Sequence, residues 1–278
     1  VGAIEPDVAV GTGGYVAAPV LMAAWLRGRP LLIQEQNAYA GLTNRVLARL
    51  ALRIHLAFPE AKDWVPAEHA VVSGNPTRQS LRDADPDAAR AAFNVPEDGR
   101  VLLVMGGSLG SAAINGAIQR ILDPLLAEGD VYVVWQTGTR YYDDLTEDLD
   151  EHPRLRVVEY IDQMGHAYAA ADLAVCRAGA LTCSELTVTG TPAVLVPSPN
   201  VTADHQTKNA RSLERAGAAV WLDEADLDAH LETVLLDLLG NSDRRARMAE
   251  AARDRARPDA AETIARDVLA LADRYRTN

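Results

Sequence analysis

Short apolar runs alternate with helical patterns from one end of the 278-residue sequence to the other. The runs are continuously apolar and rich in β-branched residues, which is typical of strands that are buried on both faces of a sheet. Strands of this kind joined by helices predict an α/β fold with parallel sheets. The predicted strands are residues 8–10, 30–34, 54–58, 69–72, 100–105, 131–136, 155–160, 173–176, 192–197 and 218–222.

A polar stretch, "SGNPTRQSLRDADPD" at residues 73–87, interrupts the alternation and reads as an interdomain linker. It ends with Asp85 as a plausible helix cap and Pro86 at the first helical position. Six predicted strands follow the linker, enough for a complete doubly wound domain, whereas only four precede it. We therefore expect domains at 1–76 and 77–257 and a last helix at 258–278, with the opening strand and loop of the first domain missing.

Composition excludes several classes of protein. The net charge of −12 argues against a general nucleic-acid binder, which needs a basic face. The sequence contains no run of about 18 apolar residues, so it predicts no membrane-spanning helix. The two cysteines suggest neither a disulfide framework nor a metal site, and His205 has no second ligand at metal-binding spacing. We expect no metal and no cofactor.

Glycines lie at three junctions between a strand and a helix: several at residues 10–15 and 105–111, and Gly179 in the loop at 176–182. Such loops let the backbone approach a phosphate, and the following helix start attracts negative charge. None is a complete dinucleotide or P-loop signature, so NAD and ATP are disfavoured. Each loop alone is equally compatible with a tight turn. The two in the second domain, "GGSLGS" and "RAGALTCSEL", point to a diphosphate shared between two helix starts.

The segment "CRAGALTCSEL" supports two interpretations. In the first, Gly179 makes a turn, and a hydroxyl caps the helix with Glu185 nearby. In the second, the helix start faces a phosphate while Glu185 holds a sugar hydroxyl. The residues alone leave both open.

Further polar clusters follow strands in the first half of the chain and near residue 200. "QEQNAYAGLTNR" at 34–45 and "SPNVTADHQTKNA" at 198–210 suit sugar or peptide groups, although solvated loops would look the same. Arg78 in the linker could reach a ligand or be ordinary surface. Arg45, Arg49 and Arg53 recur every four residues, which predicts a basic helical stripe near Trp25 that suits an anionic membrane. A solvated helix face with a core tryptophan is the alternative.

Seven motifs in this order resemble the MurG family of peptidoglycan synthesis, the UDP-N-acetylglucosamine–N-acetylmuramyl-(pentapeptide) pyrophosphoryl-undecaprenol N-acetylglucosamine transferases. They are "GTGGYVAAP", "QEQNAYAGLTNR", "GNPTR", "GGSLGS", "EYIDQM", "CRAGALTCSE" and "DHQTKNA". The resemblance covers essentially the whole chain. It implies a GT-B fold, two Rossmann-like domains with a cleft between them, and a last helix that packs back on the first domain.

The resemblance also implies the residues that bind the donor UDP-GlcNAc. The Ile161 backbone and Arg78 would recognise the uracil, and Glu185 the ribose hydroxyls. The diphosphate would lie at two loops, and the GlcNAc at two amide side chains. The diphosphate residues are Gly107, Ser108, Gly179, Ala180, Leu181 and Thr182, and the sugar residues are Asn37 and Gln206.

For the acceptor, lipid I, the resemblance implies binding by the first domain at the cytoplasmic face of the inner membrane. The acceptor residues would be Gly13, Gly14, Tyr15, Glu35 and Asn44. Trp25 and Arg49 match a membrane-facing patch. The implied reaction is inverting: the acceptor 4-hydroxyl attacks C1 of GlcNAc and UDP leaves, giving lipid II for cell-wall growth and division.

Two departures from the family pattern bear on activity. The family begins with a Gly-rich loop, GGTGGH, whose histidine is a candidate base; this sequence starts after it, which leaves Glu35 as a weak candidate. The family's HEQN motif reads "QEQN" here, with Gln34 in place of His. We therefore expect binding of UDP-GlcNAc without efficient turnover by this polypeptide. The alternatives are a nucleotide-sugar-binding fragment or subunit, and a UDP-sugar epimerase of the same fold.

Overall fold

The computed structural model describes residues 4–277 and contains two parallel β-sheets. All ten predicted strands are present, with ends that differ by a few residues. The chain divides into two compact units. Among the described residues, the first unit holds those up to Thr77, those from Val201 to Ser212 and those from Arg257 onward; the rest form the second unit.

The first sheet has the strand order β1-β2-β3-β4, all parallel. Its helices and strands are β1 (Ala9–Gly11), α1 (Ala17–Trp25), β2 (Leu31–Glu35), α2 (Leu42–Leu47), β3 (Arg53–Leu56) and β4 (Ala70–Val72). Every residue of β2 is buried, which explains its continuous apolar run ending in two buried polar residues, Gln34 and Glu35. The carboxyl end of β2 therefore carries polar groups into the protein interior.

The second sheet has six parallel strands. In chain order its elements are α3 (Pro86–Ala92), β5 (Arg100–Met105), α4 (Ala112–Ala127), β6 (Val131–Gln136), α5 (Tyr142–Glu147), β7 (Leu155–Val158), α6 (Met164–Ala170), β8 (Leu173–Cys176), α7 (Ala180–Thr189) and β9 (Ala193–Leu195). They are followed by α8 (His205–Arg215), which begins in the first unit, β10 (Ala219–Trp221), α9 (Leu227–Gly240) and α10 (Ser242–Arg255). Asp85 caps α3 as predicted, because its side chain accepts the amide of Asp87.

The strand order of the second sheet, β10-β9-β8-β5-β6-β7, reverses between β5 and β8. The chain runs outward from β5 to β7, returns to β8 on the other side of β5, and runs outward again to β10. Met105 and Cys176, the last residues of β5 and β8, lie side by side in the register. In open α/β sheets this switch point is where a crevice opens and ligands bind.

The predicted basic stripe is wrong. Helix α2 ends at Leu47, so Arg49 lies beyond it and Arg53 is the first residue of β3. Arg53 donates from Nε to Asp267 at 2.7 Å, and Arg45 stacks 4.8 Å from the ring centroid of Trp64. The four-residue spacing of the arginines is therefore not a helical repeat.

The last helix, α11 (Ala260–Thr277), brings Asp267 to a buried histidine of β3 in the first unit. His55 is fully buried; its Nδ1 lies 3.0 Å from Ser73 Oγ, and its Nε2 lies 3.3 Å from Asp267 Oδ2. Burial is the main cause that lowers the pKa of His55, and Arg53 adds to it, while Asp267 opposes both. The folded chain therefore favours the neutral imidazole.

This arrangement predicts a pH-dependent stability. Neutral His55 contributes stability that is fully present above about pH 6.5, the ordinary pKa of an unfolded histidine, and that is lost as the pH falls toward the lowered folded value. We expect the melting temperature to fall less between pH 7 and 5.5 in His55→Asn than in the wild type. His230→Asn, on the exposed face of α9, is the control. An equal fall in His55→Asn and the wild type would contradict this account.

No helix among residues 4–277 combines the length and the apolar character that a membrane crossing requires.

Candidate functional site

Two of the Gly-rich loops leave the second sheet at its switch point, because β5 and β8 are neighbours. The loop at 106–110 follows β5 and leads into α4. The loop at 177–179 follows β8 and leads into α7. The structure therefore places side by side the two segments that the sequence linked to a shared diphosphate.

The 106–110 loop depends on glycine for both its conformation and its packing. Gly107 and Gly110 have positive φ angles of 93° and 80°. A Cβ on Gly110 would lie 2.0 Å from the carbonyl oxygen of Thr137, and one on Gly106 would lie 2.4 Å from the amide of Ser111. The loop thus lies directly against the backbone that follows β6, and Ser108 sits at its tip.

Gln136, the last residue of β6, connects this loop to Ile161. Its Nε2 donates to the carbonyl of Gly107 at 3.1 Å, and its Oε1 accepts the amide of Ile161 at 2.9 Å. The amide of Ile161 is therefore occupied, and its carbonyl is the backbone group left for a ligand. Sequence reasoning missed Gln136; the signal was a polar residue at the end of the apolar run "VYVVWQ".

The start of α7 has no side-chain cap. Gly179 is the capping residue, in an extended conformation, and it has no side chain with which to cap the first turn. The capping residue therefore carries no hydroxyl, and the nearby Ser184 hydroxyl donates to the carbonyl of Ala180 at 3.0 Å within the helix. A helix start concentrates amide donors and partial positive charge, which favours an anion.

Glu185 lies in the second turn of α7 and accepts a hydrogen bond from Tyr168 Oη at 3.1 Å. Burial is the main cause that raises the pKa of Glu185, and Tyr168 and Arg78 oppose that rise. Arg78 therefore lies close enough for its charge to act on this carboxylate. The structure brings Arg78 and Glu185, both predicted to bind the nucleoside, to one place in the second unit.

Arg177, which sequence reasoning did not single out, ties together the switch point. It donates to Ser111 Oγ at 2.7 Å and to the carbonyls of Val196 and Pro197 at 3.2 and 3.0 Å. It also forms an ion pair with Glu224 at 2.5 Å. Because Ser111 caps α4 through the amide of Ile114, this guanidinium fixes one helix start relative to the other. The sequence signal for Arg177 was a charged residue directly after a buried apolar strand, in the motif "CRAG".

In the first unit, Glu35 orders its own loop. This 3% exposed carboxylate accepts the amides of Asn37 and Gly41, both at 3.0 Å, and Nδ2 of Asn44 at 2.7 Å. Both oxygens are thus used by the protein, an arrangement that does not suit the catalytic base for which Glu35 was a weak candidate. Asn44 is buried beside it, so its amide nitrogen is also committed to the fold.

The segments that carry Asn37 and Gln206 meet in the first unit. The buried Asn209 accepts the amide of Ala38 at 2.9 Å and donates to Asn37 Oδ1 at 3.1 Å. Lys208 Nζ lies 3.5 Å from the ring centroid of Tyr39. These contacts hold the start of α8, which includes Gln206, against the loop after β2.

The remaining first-unit predictions lie at both ends of α1. Gly13 and Gly14, with φ angles of 99° and 80°, form the turn before α1, and Tyr15 beside them is exposed. A Cβ on Gly13 would lie 3.4 Å from Asn44 Nδ2, so the structure brings these two predicted acceptor residues together. Trp25 ends α1 and is 42% exposed.

Within residues 4–277, no three His, Cys, Asp or Glu side chains are arranged to hold a metal ion. Both cysteines are buried free thiols. Burial raises the pKa of Cys183 to about 12. Since the thiolate is the reactive and metal-binding form, this side chain is an inert part of the core.

Comparison with known proteins identifies the family. The glycosyltransferase family 28 C-terminal domain matches residues 101–264, and the N-terminal domain of the same family matches residues 1–56. A UDP-N-acetylglucosamine–N-acetylmuramyl-(pentapeptide) pyrophosphoryl-undecaprenol N-acetylglucosamine transferase from Chlorobium phaeobacteroides is 45% identical over 270 residues, which are 96% of this chain and 73% of that protein. The protein of the same name from Bacteroides thetaiotaomicron is 41% identical over 97% of this chain and 74% of its own length.

Solved structures agree with this result. The crystal structure of Acinetobacter baumannii MurG matches with a TM-score of 0.78 and 33% identity, over 96% of this chain and 74% of that one. A UDP-GlcNAc 2-epimerase from Neisseria meningitidis shares the fold alone, with a TM-score of 0.69 at 14% identity over 96% of this chain and 77% of that one. The predicted fold class, GT-B with two Rossmann-like parallel-sheet domains, is confirmed. The chain belongs to the MurG family of N-acetylglucosamine transferases.

Proposed function

We propose that this chain transfers GlcNAc from UDP-GlcNAc to the 4-hydroxyl of the muramyl sugar of lipid I, which gives lipid II. The observation that carries the proposal is the start of α7, with glycine at its cap position, beside the 106–110 loop and with Glu185 in the next turn. This arrangement offers amide donors for a diphosphate and a carboxylate for ribose hydroxyls. It agrees with the transferase name of relatives that are 41–46% identical.

The donor nucleotide is assigned to the second unit. Arg78 and the carbonyl of Ile161 bind the uracil, and Glu185 binds the ribose. Gly107, Ser108 and residues 179–182 bind the diphosphate. The amide donors at the starts of α4 and α7 favour the negative charge of the diphosphate. Arg177 donates to Ser111 and so holds the residue that caps α4 in place.

Binding of the GlcNAc and of the acceptor is assigned to the first unit. Asn37 and Gln206 contact the GlcNAc, and the contacts of Asn209 with residues 37 and 38 support this pairing. Gly13, Gly14 and Tyr15 bind the acceptor, and Glu35 with Asn44 shapes the loop beside them.

In the reaction, the acceptor oxygen forms a bond to C1 of GlcNAc, and the bond from C1 to the β-phosphate oxygen breaks. UDP leaves with that electron pair, so negative charge grows on the diphosphate in the transition state. Preorganised amide donors at the two helix starts stabilise this charge without reorganising. The hydroxyl proton passes to a general base, a role for which Glu35 is poorly placed because both its oxygens already accept hydrogen bonds.

Transfer of labelled GlcNAc from UDP-GlcNAc to a lipid I analogue tests the proposal. The assay uses the 278-residue chain and, in parallel, the chain with any segment that its gene encodes upstream of residue 1. We expect a β-1,4-linked product that requires the acceptor, made efficiently by the longer form and inefficiently by the 278-residue chain. Conversion of UDP-GlcNAc without acceptor would indicate an epimerase, and transfer by neither form despite donor binding would contradict the proposal.

We also propose that α1 and α2 contact the cytoplasmic face of an anionic membrane, where lipid I is held. Several large apolar side chains of this region are exposed, which is typical of an interaction surface. They are Val16, Val20, Trp25, Leu26, Leu42 and Val46. The exposed Arg49 follows α2, although the net charge of −12 weakens the attraction to anionic lipid.

Vesicle binding checks this membrane contact. We expect the chain to co-sediment with vesicles that contain phosphatidylglycerol, and a double variant, Trp25→Ser with Leu26→Ser, to bind roughly 10-fold less because two large apolar side chains are lost. Leu269→Ser, which alters an exposed apolar residue of α11, is the control. Equal binding by both variants would place the contact elsewhere.

A further inference from the structure

Tyr168 is a buried residue of α6 whose hydroxyl reaches a carboxylate on another helix. Its side chain is 3% exposed, and its Oη donates to Oε2 of Glu185 at 3.1 Å. A buried tyrosine hydroxyl needs a hydrogen-bond partner. A backbone carbonyl or a side-chain amide would satisfy the hydroxyl at a lower cost in free energy, because a half-buried carboxylate loses part of its hydration.

The hydrogen bond divides the two oxygens of Glu185 between different roles. Oε2 is held by Tyr168, whereas Oε1 accepts no hydrogen bond from the described residues. A carboxylate fixed through one oxygen cannot turn freely, so the direction of its other oxygen is set by the protein. Vicinal ribose hydroxyls need an acceptor with a fixed direction of this kind.

We propose that Tyr168 is a positioning residue that aims Oε1 of Glu185 at the ribose and so makes the site select UDP over 2′-deoxy-UDP. The inference rests on the proposed function, because it takes Glu185 as the ribose ligand. It goes beyond that function by assigning the ribose selectivity to a hydroxyl that does not touch the nucleotide.

The charges around Glu185 make the same hydrogen bond important for its ionisation. The groups that act on it or feel its charge are Arg78, Tyr168 of α6 and Cys176 of β8. Burial raises the pKa of Glu185, and the Tyr168 hydroxyl and Arg78 lower it. Without the hydroxyl the pKa of Glu185 rises further, so the neutral acid, a poorer acceptor, forms at a higher pH.

Tyr168→Phe, which removes only the hydroxyl, tests the proposal. Calorimetry at pH 7.5 gives the Kd of UDP and of 2′-deoxy-UDP for each protein. We expect the wild type to prefer UDP and the variant to lose roughly 5- to 10-fold of that preference, which is less than the loss of a direct hydrogen bond to a charged group because Tyr168 acts only through Glu185. Tyr132→Phe, near the amino end of β6 and thus at the opposite edge of the sheet, is the control. Tyr168→Met provides a second protein without the hydroxyl if Tyr168→Phe does not fold.

One further readout, the pH dependence of UDP binding, separates positioning from a structural role. The lower pH limit of UDP binding shifts upward in Tyr168→Phe if the hydroxyl keeps Glu185 ionised. Equal weakening of both nucleotides, or an unchanged preference, would overturn the inference while leaving the proposed function intact. Failure of the wild type to bind UDP would overturn the proposed function and this inference together.

Discussion

Gly110→Ala is expected to abolish UDP binding and to destabilise the second unit by roughly 2–5 kcal/mol, which combines backbone strain with overpacking against a rigid neighbour. The φ of +80° disfavours a side chain, and the new Cβ would lie 2.0 Å from the carbonyl oxygen of Thr137. That oxygen belongs to backbone that continues from β6 and cannot move aside cheaply. The loop must therefore leave its place at the switch point.

Substitution of two other glycines by alanine separates the cost of backbone strain from the cost of close packing. At Gly107 the φ is +93°, but a new Cβ would have no atom within 4 Å. Gly107→Ala should therefore lower the stability by only about 1–2 kcal/mol, from backbone strain. Gly116→Ala lies inside α4, where a Cβ meets only the flexible end of Arg120, and should stabilise by about 0.5–1 kcal/mol. Thermal unfolding and UDP titration measure all three variants. If Gly110→Ala were no more harmful than Gly107→Ala, the close packing of the loop would be unimportant.

Glu185→Gln is expected to weaken UDP binding by roughly 10- to 100-fold without lowering stability, because a hydrogen bond to a charged group is worth about 1.5–3 kcal/mol. A raised pKa means that ionised Glu185 costs native stability as the pH rises above the ordinary glutamate value. The amide avoids this cost, and its oxygen can still accept from Tyr168. We therefore expect an equal or higher melting temperature at pH 7.

Glu147→Gln, at the exposed end of α5, is the matched control for Glu185→Gln. It should change neither UDP binding nor stability. A lower melting temperature together with normal UDP binding in Glu185→Gln would reverse the assignment, since Glu185 would then support the fold rather than the nucleotide.

The sequence predicts the strands well because each is a continuous apolar run that belongs to a doubly covered parallel sheet. It also places the two Gly-rich loops of the second domain at strand ends, where a sheet with a switch point brings them together. The local spacing of residues predicts the end of a helix less well where pairing between distant strands determines the secondary structure. Arg53 continues a four-residue spacing, yet it pairs with Leu32 in the register of β2 and β3, so the helix ends before it.

Side-chain networks account for what sequence reasoning missed. Gln136, Tyr168 and Arg177 are each single polar residues in apolar or Gly-rich surroundings, and their partners lie 17 to 66 residues away. Nothing in local spacing shows which acceptor each donor reaches. Glu35 presents the same difficulty: its position at the end of a strand was predictable, but not that its lone pairs are used by its own loop.

Hydrogen–deuterium exchange of the whole chain, with and without saturating UDP, tests most directly the claim that the switch point of the second sheet binds the donor. We predict protection of residues 106–111, 161 and 179–185 with UDP. With uridine, which lacks the diphosphate, protection at 106–111 and 179–182 should be lost. Protection confined to the first unit, or identical patterns with UDP and uridine, would contradict the assignment of the diphosphate to the two helix starts.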